Sequence, residues 1–315
     1  MNNLSNYTVA LIVPCYNEEQ TIAQVIREFQ KSVPNMVCHV FDNNSTDNSV
    51  EVANAAGARV YNVPLQGKGN VVRRMFADVE ADVYVMVDGD ATYDASVASA
   101  LIQELVSGNL DMVVGSRRSM EVAAYRPGHR WGNKMLTGFV SFIFGRAFND
   151  MLSGYRIFSK RYAKSFPAHS EGFEIETELA VHALELRMPI KEIDTVYGAR
   201  PEGSVSKLNT YRDGVRILIT IIKLFKAEKP LIFFFIGFLT LILLAFILAT
   251  PLVVTYLQTG LVPRMPTAIL CSGLVILSFL SLACGLILDT VTRGRLEVKR
   301  LAYLSVPSLD AAGKK

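Results

Sequence analysis

The sequence predicts an α/β protein, in which a mostly parallel, doubly wound sheet is followed by a hairpin of two membrane-spanning helices. Two observations carry this prediction. Short β-branched runs alternate with helix-length stretches over the first 115 residues, and residues 230–288 contain a single charged residue, Arg264. Hydrophobic residues make up 50% of the 315-residue chain, and their excess is concentrated in that second part. The composition therefore divides the chain near Pro230.

The predicted strands are short, continuous apolar runs of the kind that forms parallel sheets buried on both faces. They are VALIV (9–13), VCHVF (37–41), ARVY (58–61), VYVMV (83–87) and DMVV (111–114). The segments between them are long enough for crossover helices, so these strands are expected to run parallel. In such a sheet, ligands bind beyond the carboxyl ends of the strands.

Polar segments follow three of these strands at the ends where a ligand is expected. They are PCYNEE (14–19), DNNSTD (42–47) and DGDATYD (88–94). The first strand is not followed by the G-x-G-x-x-G turn of dinucleotide-binding folds, and the chain has no G-x-x-x-x-G-K-[ST] phosphate loop. Dinucleotide-cofactor and P-loop functions therefore lose their main support.

The acidic segment after the fourth strand is typical of a divalent-cation site. Asp88 and Asp90 lie two residues apart, so a turn lets both present oxygen atoms to one ion. Carboxylates suit Mg²⁺ or Mn²⁺, and such ions are often held by one or two carboxylates together with substrate phosphates. Gly89 is expected to permit close approach and unusual backbone dihedral angles.

Two uncharged runs have the length of about 20 residues that a helix needs to cross a bilayer. They are residues 231–250 and 267–288, joined by a connector with three prolines, and a basic amphipathic helix at 209–229 precedes them. That helix is expected to lie in the headgroup layer. Lysines precede the first run and basic residues follow the second, which favours a cytoplasmic location for both ends of the hairpin and for the sheet domain. These flanking residues are Lys223, Lys226, Lys229, Arg293, Arg295, Lys299 and Arg300.

Charge and cysteine usage exclude several other classes of protein. The net charge of +3 gives no support for nucleic-acid binding. The four cysteines have neither disulfide-like nor zinc-like spacing, and the N-terminus does not resemble a signal peptide. The four histidines share no spacing that indicates catalysis.

Seven segments, taken in order, resemble the inverting nucleotide-sugar glycosyltransferases of family 2, which have the GT-A fold. The closest resemblance is to the polyprenyl-phosphate branch, which includes bactoprenol glucosyltransferases and dolichyl-phosphate mannose synthases. The resemblance covers about 7–210, and its segments are IVPCYNEE (12–19), DNNSTD (42–47), GKGNVVR (67–73), DGD (88–90), GSR (115–117), DMLSGYRIF (150–158) and RPEGSVSKL (200–208). The resemblance implies a GT-A domain at 1–208, the interfacial helix at 209–229, two transmembrane helices within 230–291 and a cytoplasmic tail at 292–315.

The resemblance also implies roles for individual residues. Asp88, Asp90 and Arg117 are expected to be catalytic, with the two aspartates holding the metal on the diphosphate. Thr92 stands where some relatives have a glutamine, so it is at best a hydroxyl or water-mediated ligand. The remaining candidates are Pro14, Tyr16, Glu18, Asp42, Lys68 and Arg156 for the nucleotide sugar, and Arg200, Ser206 and Lys207 for the acceptor phosphate. Alternatives stay open, since Arg156 is equally suited to a structural ion pair with Asp150 or Glu174, and one of Glu174, Glu176 and Glu178 is a further candidate to face the sugar.

The reaction that the resemblance implies is transfer of a hexose from a nucleotide sugar to undecaprenyl phosphate at the cytoplasmic membrane face. A UDP-sugar is favoured, carrying glucose or N-acetylglucosamine, and GDP-mannose is the alternative donor. The chain is expected to form a homo-oligomer, and a flippase is an expected partner. A polysaccharide synthase is disfavoured because the chain has few spans and no Q-x-x-R-W motif. A non-catalytic scaffold for a flippase is the alternative from another class.

Overall fold

The computed structural model describes residues 6–119, 138, 148–198 and 210–309. Residues Met1–Thr220 and Lys299–Lys315 form one compact unit, here the sheet unit, and Ile221–Val298 form a second, the helical unit.

Within the described residues, the sheet unit contains seven strands in the order β3-β2-β1-β4-β6-β5-β7. They are β1 (Val9–Cys15), β2 (Val37–Asp42), β3 (Arg59–Asn62), β4 (Val83–Met86), β5 (Met112–Ser119), β6 (Arg156–Ser159) and β7 (Ile190–Tyr197). Strands β1 to β4 pair in parallel, as do β5 and β7, whereas β6 runs antiparallel between β4 and β5. All five predicted strands are present, and the sequence analysis missed β6 and β7.

Helices cover both faces of this sheet. They are α1 (Ile22–Ser32), α2 (Ser49–Ala55), α3 (Lys68–Asp78), α4 (Ala98–Ser107), α5 (Lys160–Ser165) and α6 (Ile175–Glu185). Val83 and Val85 of β4 pack in the core cluster that includes α1 and α4, while Tyr84 contacts Phe76 of α3 on the opposite face. Because both faces are buried there, the central strands β1 and β4 are nearly continuous apolar runs.

The end of the described chain also belongs to the sheet unit. Leu309 is 4% exposed and packs in the main core cluster. The Tyr303 hydroxyl donates to Asp111 Oδ2 at 2.6 Å, and the Arg161 guanidinium lies 4.8 Å from the Tyr303 ring centroid. A cavity of about 470 Å³ lies beside these contacts. Residues near 303–309 are therefore part of the folded domain.

Helix α7 (Thr210–Glu228) corresponds to the predicted interfacial helix. Val215, Ile219 and Ile222 on this helix are exposed. The side chains of Arg212 and Arg216, which belong to the predicted basic stripe, lie outside the described part of the structure.

Two long apolar helices follow, α8 (Pro230–Thr259) and α9 (Met265–Leu304). Only 6% of the most apolar stretch of α8 and 17% of that of α9 are buried, which does not fit core helices of a soluble protein. The helices pack at small residues, where Ser281 Oγ donates to Phe234 O at 2.9 Å. Their length and exposed apolar surface indicate membrane association.

The boundaries of these helices differ from the prediction. Helix α8 continues through Pro251 and ends only where Gly260 adopts a left-handed φ of +72°. Helix α9 continues to Leu304, so the predicted tail from residue 292 begins as helix. An ion pair of 2.9 Å between Asp289 and Arg293, four residues apart, supports this continuation.

Candidate active site

The three predicted polar loops meet at one edge of the sheet, because β2, β1 and β4 are neighbours. Asn17 N donates to Ser45 Oγ at 2.9 Å, and Glu18 N donates to Ser49 Oγ at 2.7 Å. The Thr21 hydroxyl donates to the backbone oxygen of Gly89 at 2.6 Å. These bonds join the loops after β1, β2 and β4 into one hydrogen-bonded edge.

The residues predicted to bind the nucleotide lie on this edge. Asp42 ends β2 with 6% exposure, and its carboxylate accepts from Ser45 N at 3.3 Å. Tyr16 is 37% exposed, and Pro14 lies opposite Phe41 in the β1–β2 pairing. The edge thus presents an exposed aromatic ring beside a nearly buried carboxylate.

The acidic turn after β4 contains Asp90, which is 4% exposed. The Thr92 hydroxyl donates to Asp90 Oδ1 at 2.6 Å, and Thr92 N donates to the same atom at 3.3 Å. A hydroxyl that donates one hydrogen bond keeps its lone pairs for another partner. Thr92 therefore orients Asp90, and its side chain also hydrogen-bonds to Tyr197.

Gly89 does not adopt the unusual backbone dihedral angles that its sequence position predicted. It is not among the described residues with positive φ, and a Cβ atom built on it would meet its nearest neighbour, Ile22 Cδ1, at an ordinary 3.4 Å. The unusual backbone lies at Ala91, whose φ is +55°. The turn therefore gains its shape one residue after the D-x-D motif.

The glycine that closely approaches the acidic turn is Gly154. A Cβ atom on Gly154 would overlap Asp88 Oδ2 and lie 3.0 Å from Asp88 Cγ. Gly154 N donates to the buried Tyr93 hydroxyl at 2.8 Å, which fixes the glycine in this position. The sequence contains Gly154 within the DMLSGYRIF segment, but nothing in its spacing relates it to Asp88.

Lys68 lies between two carboxylates at the same edge. Its Nζ is 2.6 Å from Asp88 Oδ1 and 2.7 Å from Glu176 Oε1, and its side chain is 7% exposed. Burial opposes the charge on the ammonium, but the two carboxylates outweigh burial and raise the pKa of Lys68 above its usual value. Lys68 therefore remains positively charged at this edge of the sheet.

The glycines on either side of Lys68 explain how it reaches this place. Gly67 has a φ of +127°, and Gly69 N donates to Glu171 O at 2.9 Å. A Cβ atom on either glycine would overlap a backbone oxygen of Ser170 or Glu171. The G-K-G sequence thus lets the start of α3 lie directly against the loop before α6.

Arg117 forms an ion pair close to the candidate site. Its Nε and Nη2 atoms each lie 2.7 Å from an oxygen of Asp150, a bidentate pair. Burial would lower the pKa of Arg117, but Asp150 raises it well above its usual range. Asp150 N in turn donates to Glu192 Oε1 at 2.8 Å. The predicted ion pair of Asp150 therefore forms with Arg117 and not with Arg156.

Arg156 lies in the interior of the sheet unit. It is 0% exposed, and its guanidinium donates to the backbone oxygens of Ser153, Met151 and Glu176. Burial lowers its pKa. The predicted contact of Arg156 with the nucleotide sugar therefore stays a prediction, since the guanidinium is here bonded to backbone oxygens and to Met112 Sδ.

Comparison with known proteins places the chain in a family. The family described as "Glycosyl transferase family 2" matches residues 10–166. Glycosyltransferase AglJ of Haloferax volcanii is 36% identical over 233 residues, which cover 72% of this chain and 75% of AglJ. The chain belongs to glycosyl transferase family 2.

Two further comparisons agree with this family 2 assignment. A dolichyl-phosphate hexose transferase of Haloferax volcanii is 25% identical over 229 residues, covering 72% of this chain and 99% of that protein. The crystal structure of glucosyl-3-phosphoglycerate synthase from Mycobacterium tuberculosis with Mn²⁺, UDP-glucose and phosphoglyceric acid matches with a TM-score of 0.57 at 22% identity. That match covers 70% of this chain and 80% of the synthase. At this identity the likeness is one of fold, and the chain is a GT-A glycosyltransferase.

The family 2 site also contains a residue that sequence reasoning did not single out. Three glutamates alternate in FEIETE, and the structure separates them. Glu174 accepts from Gly172 N at 3.2 Å, Glu178 accepts from His169 N and Ser170 N at 2.9 and 2.8 Å, and Glu176 contacts Lys68. Only the tertiary contact with Lys68 distinguishes Glu176, so spacing alone could not have identified it.

The acceptor-phosphate candidates of this glycosyltransferase, Arg200, Ser206 and Lys207, lie outside the described residues. Among the described residues, no group of three or more histidine, cysteine, aspartate or glutamate side chains forms a metal cluster. The predicted metal ligands at the acidic turn, Asp88, Asp90 and Thr92, all present oxygen atoms. This donor set fits a hard divalent cation that completes its shell with phosphate oxygens and water.

Proposed function

We propose that this glycosyltransferase transfers a hexose, with inversion, from a nucleotide sugar to a polyprenyl phosphate at the cytoplasmic face of the membrane. A UDP-sugar carrying glucose or N-acetylglucosamine is the favoured donor, and undecaprenyl phosphate is the favoured acceptor. The product is a lipid-linked sugar for modifying cell-envelope glycans.

The observation that carries the proposal is the grouping of Asp88, Asp90 and Lys68 at the carboxyl end of β4. A pair of carboxylates suits a divalent cation, and a buried ammonium suits a phosphate. A diphosphate with its metal is a ligand that needs both. The exposed ring of Tyr16 and the carboxylate of Asp42 on the adjacent loops provide groups for a nucleoside.

Asp88 and Asp90 would hold Mg²⁺ or Mn²⁺, with Thr92 as a hydroxyl or water-mediated ligand. The ion would supply Lewis-acid stabilisation of the charge that develops on the departing diphosphate.

Lys68 and Arg117 add fixed positive charge. Lys68 uses two of its three N–H donors on Asp88 and Glu176, which leaves one for a phosphate oxygen. Arg117 keeps its charge because Asp150 raises its pKa. Charges already in place need no reorganisation during the reaction, so their stabilisation of the leaving group is effective.

The acceptor explains why the site needs no dedicated base. The second pKa of a phosphate monoester is about 6, so the attacking oxygen is already ionised at neutral pH. Of the histidines, His39 and His182 are buried in the sheet unit, and burial lowers their pKa to about 4 and about 3. Neither is suited to proton transfer at the edge of the sheet.

The lipid acceptor is supported by the two apolar helices and by the named activity of the Haloferax relative. An isoprenoid tail stays in the bilayer, so an enzyme that uses it benefits from membrane association. The UDP preference is supported by the donor bound in the Mycobacterium synthase structure. GDP-mannose is the alternative donor, for a polyprenyl-phosphate mannose synthase, and a homo-oligomer and a flippase partner stay predictions.

The test uses membranes that contain the full-length protein, a panel of radiolabelled UDP- and GDP-sugars, and undecaprenyl phosphate. One UDP-sugar is expected to give a labelled lipid, and Asp90→Asn is expected to lower the rate by at least about 10²-fold. The variant protein should remain folded, because an asparagine at this position preserves the side-chain volume. Brisk transfer to a soluble sugar, or near-normal activity of Asp90→Asn, would contradict the proposal.

A further inference from the structure

Lys68 has two carboxylate partners, and one of them is also a proposed metal ligand. Its ammonium lies 2.6 Å from Asp88 Oδ1 and 2.7 Å from Glu176 Oε1. When Asp88 turns its charge toward a cation, its attraction for Lys68 falls. A buried ammonium that loses its counter-charge is costly, so the second carboxylate decides whether Lys68 stays in place.

Glu176 is held more firmly than Asp88. Its side chain is 10% exposed, against 30% for Asp88. It lies in the first turn of α6, and its backbone oxygen accepts from Arg156 Nη2 at 3.0 Å. The neighbouring Glu178 fixes the preceding loop by accepting from two backbone N–H groups. Glu176 is therefore a rigid anchor, whereas Asp88 lies on a more exposed turn.

The base of Lys68 is fixed against the same part of the structure. Gly67 and Gly69 leave no room for a side chain against the backbone of Ser170 and Glu171. The loop that carries these two residues leads into α6. The start of α3 and the start of α6 are thus locked together, and the Lys68–Glu176 distance is set from both sides independently of Asp88.

The charges of Lys68 and the three nearby carboxylates leave net negative charge beside the acidic turn. Asp88, Asp90 and Glu176 are three carboxylates, and Lys68 is one ammonium, so the group has a formal charge of −2. That charge matches one divalent cation.

We propose that Glu176 is a positioning residue, which keeps Lys68 at the diphosphate site while Asp88 exchanges Lys68 for the metal. The inference rests on the proposed function, because it takes the metal-bound diphosphate as the ligand. Glu176 acts through Lys68 and does not itself contact the donor.

The test measures binding of Mn²⁺ to the full-length protein by calorimetry, with and without saturating UDP. In Glu176→Gln, metal binding to Asp88 leaves the buried Lys68 without a carboxylate. Without UDP, Mn²⁺ is therefore expected to bind about tenfold more weakly than in wild type. With UDP, a phosphate oxygen replaces the lost partner, so most of the difference should disappear.

A charge effect without positioning gives a different result. If Glu176 acted only by attracting the cation, the loss would persist with UDP and in a Lys68→Met background. The double variant Lys68→Met with Glu176→Gln is expected to bind Mn²⁺ as Lys68→Met does, because the interaction energy runs through Lys68. If Glu176→Gln still weakens Mn²⁺ binding in the Lys68→Met background, the proposal is overturned. It is also overturned if Glu176→Gln binds Mn²⁺ as tightly as wild type without UDP.

Glu174→Gln is the matched control, since it makes the same substitution two residues away without touching Lys68. It should bind Mn²⁺ and UDP as wild type does. If Glu176→Gln does not fold, Glu176→Asp replaces it. A smaller loss of Mn²⁺ affinity is then expected, with the same dependence on UDP and on Lys68. Wild-type Mn²⁺ affinity of Glu176→Asp overturns the proposal. A wild-type protein that binds neither Mn²⁺ nor UDP instead contradicts the proposed function.

Discussion

Replacing Gly154 by alanine is expected to displace the carboxylate of Asp88 while leaving the sheet unit folded. The added methyl group would overlap Asp88 Oδ2 and lie 3.0 Å from Asp88 Cγ. Gly154 cannot readily move away, because its N–H bonds to the buried Tyr93 hydroxyl at 2.8 Å. Asp88 is 30% exposed at the side chain and is the group that can shift.

The expected loss of activity follows from how far the Asp88 carboxylate must move. To reach an ordinary van der Waals separation from the new methyl group, the carboxylate must move by roughly 1 Å. A displacement of about 1 Å in a positioned group can lower a rate by about 10²-fold. The cost in unfolding free energy should stay near the lower end of the roughly 1–3 kcal/mol that overpacking causes, because Asp88 borders solvent.

Gly89→Ala is the matched control, since Gly89 lies between the two aspartates but has room for a Cβ at 3.4 Å from its nearest neighbour. The assay compares the initial rate of sugar transfer, Mn²⁺ binding and thermal unfolding for the two variants. Gly154→Ala should lose activity and Mn²⁺ affinity, while Gly89→Ala should keep both within a few-fold. Equal losses in the two variants, or a fully active Gly154→Ala, would refute the steric reasoning.

Three further predictions concern stability. Arg156→Met should destabilise the sheet unit strongly, because each buried backbone oxygen left without a hydrogen-bond donor costs about 1–3 kcal/mol. A variant with the wild-type free energy of unfolding and a changed affinity for the nucleotide sugar would contradict this. Burial, with a smaller contribution from Lys299, lowers the pKa of His182 to about 3, against about 6.5 in the unfolded chain, so the unfolded state binds more protons between these values and stability should fall as pH falls. His182→Asn should reduce that slope by up to about 1.4 kcal/mol per pH unit in unfolding titrations, and an unchanged slope would assign it to other groups. Tyr303→Phe should lower stability by about 0.5–1.5 kcal/mol through loss of its bond to Asp111, with transfer kinetics unchanged, and an unaltered unfolding midpoint would show that the bond contributes nothing.

The sequence predicted the parts of the fold that depend on local pattern. Strands β1, β2 and β4 are largely apolar runs and were predicted within two residues of their observed bounds. Strand β3 was predicted one residue early, and β5 extends to Ser119, five residues beyond its predicted end. Strand β6 was missed because Arg156–Ser159 is only four residues long and begins with a charged residue that is buried in the structure. Strand β7 was missed because Ile190–Tyr197 is mostly half-buried or exposed and is mixed in polarity. Burial of Arg156 depends on backbone oxygens from distant segments, which no local pattern contains.

The residues of the candidate site likewise divide into those that a local motif predicts and those that only tertiary packing brings together. Asp88, Asp90 and Lys68 were predicted because each belongs to a short motif, and the structure brings them to one edge. Glu176 and Gly154 are 88 and 66 residues beyond Asp88 in the chain, so their contacts with the site depend on how β6 and α6 pack. Gly89 was misjudged because the motif suggested a strained backbone, whereas the left-handed residue is Ala91.

The packing of Leu309 in the same core as β1 has a consequence for biogenesis. Translation produces β1 first and reaches residue 309 only after both apolar helices have been made. A nascent chain that stops before Lys299 therefore lacks Tyr303 and Leu309, and the surfaces they cover on the sheet unit stay open. The sheet unit can therefore complete its core only after residues 221–298 have been synthesised, which ties maturation of the glycosyltransferase to completed synthesis of its two apolar helices.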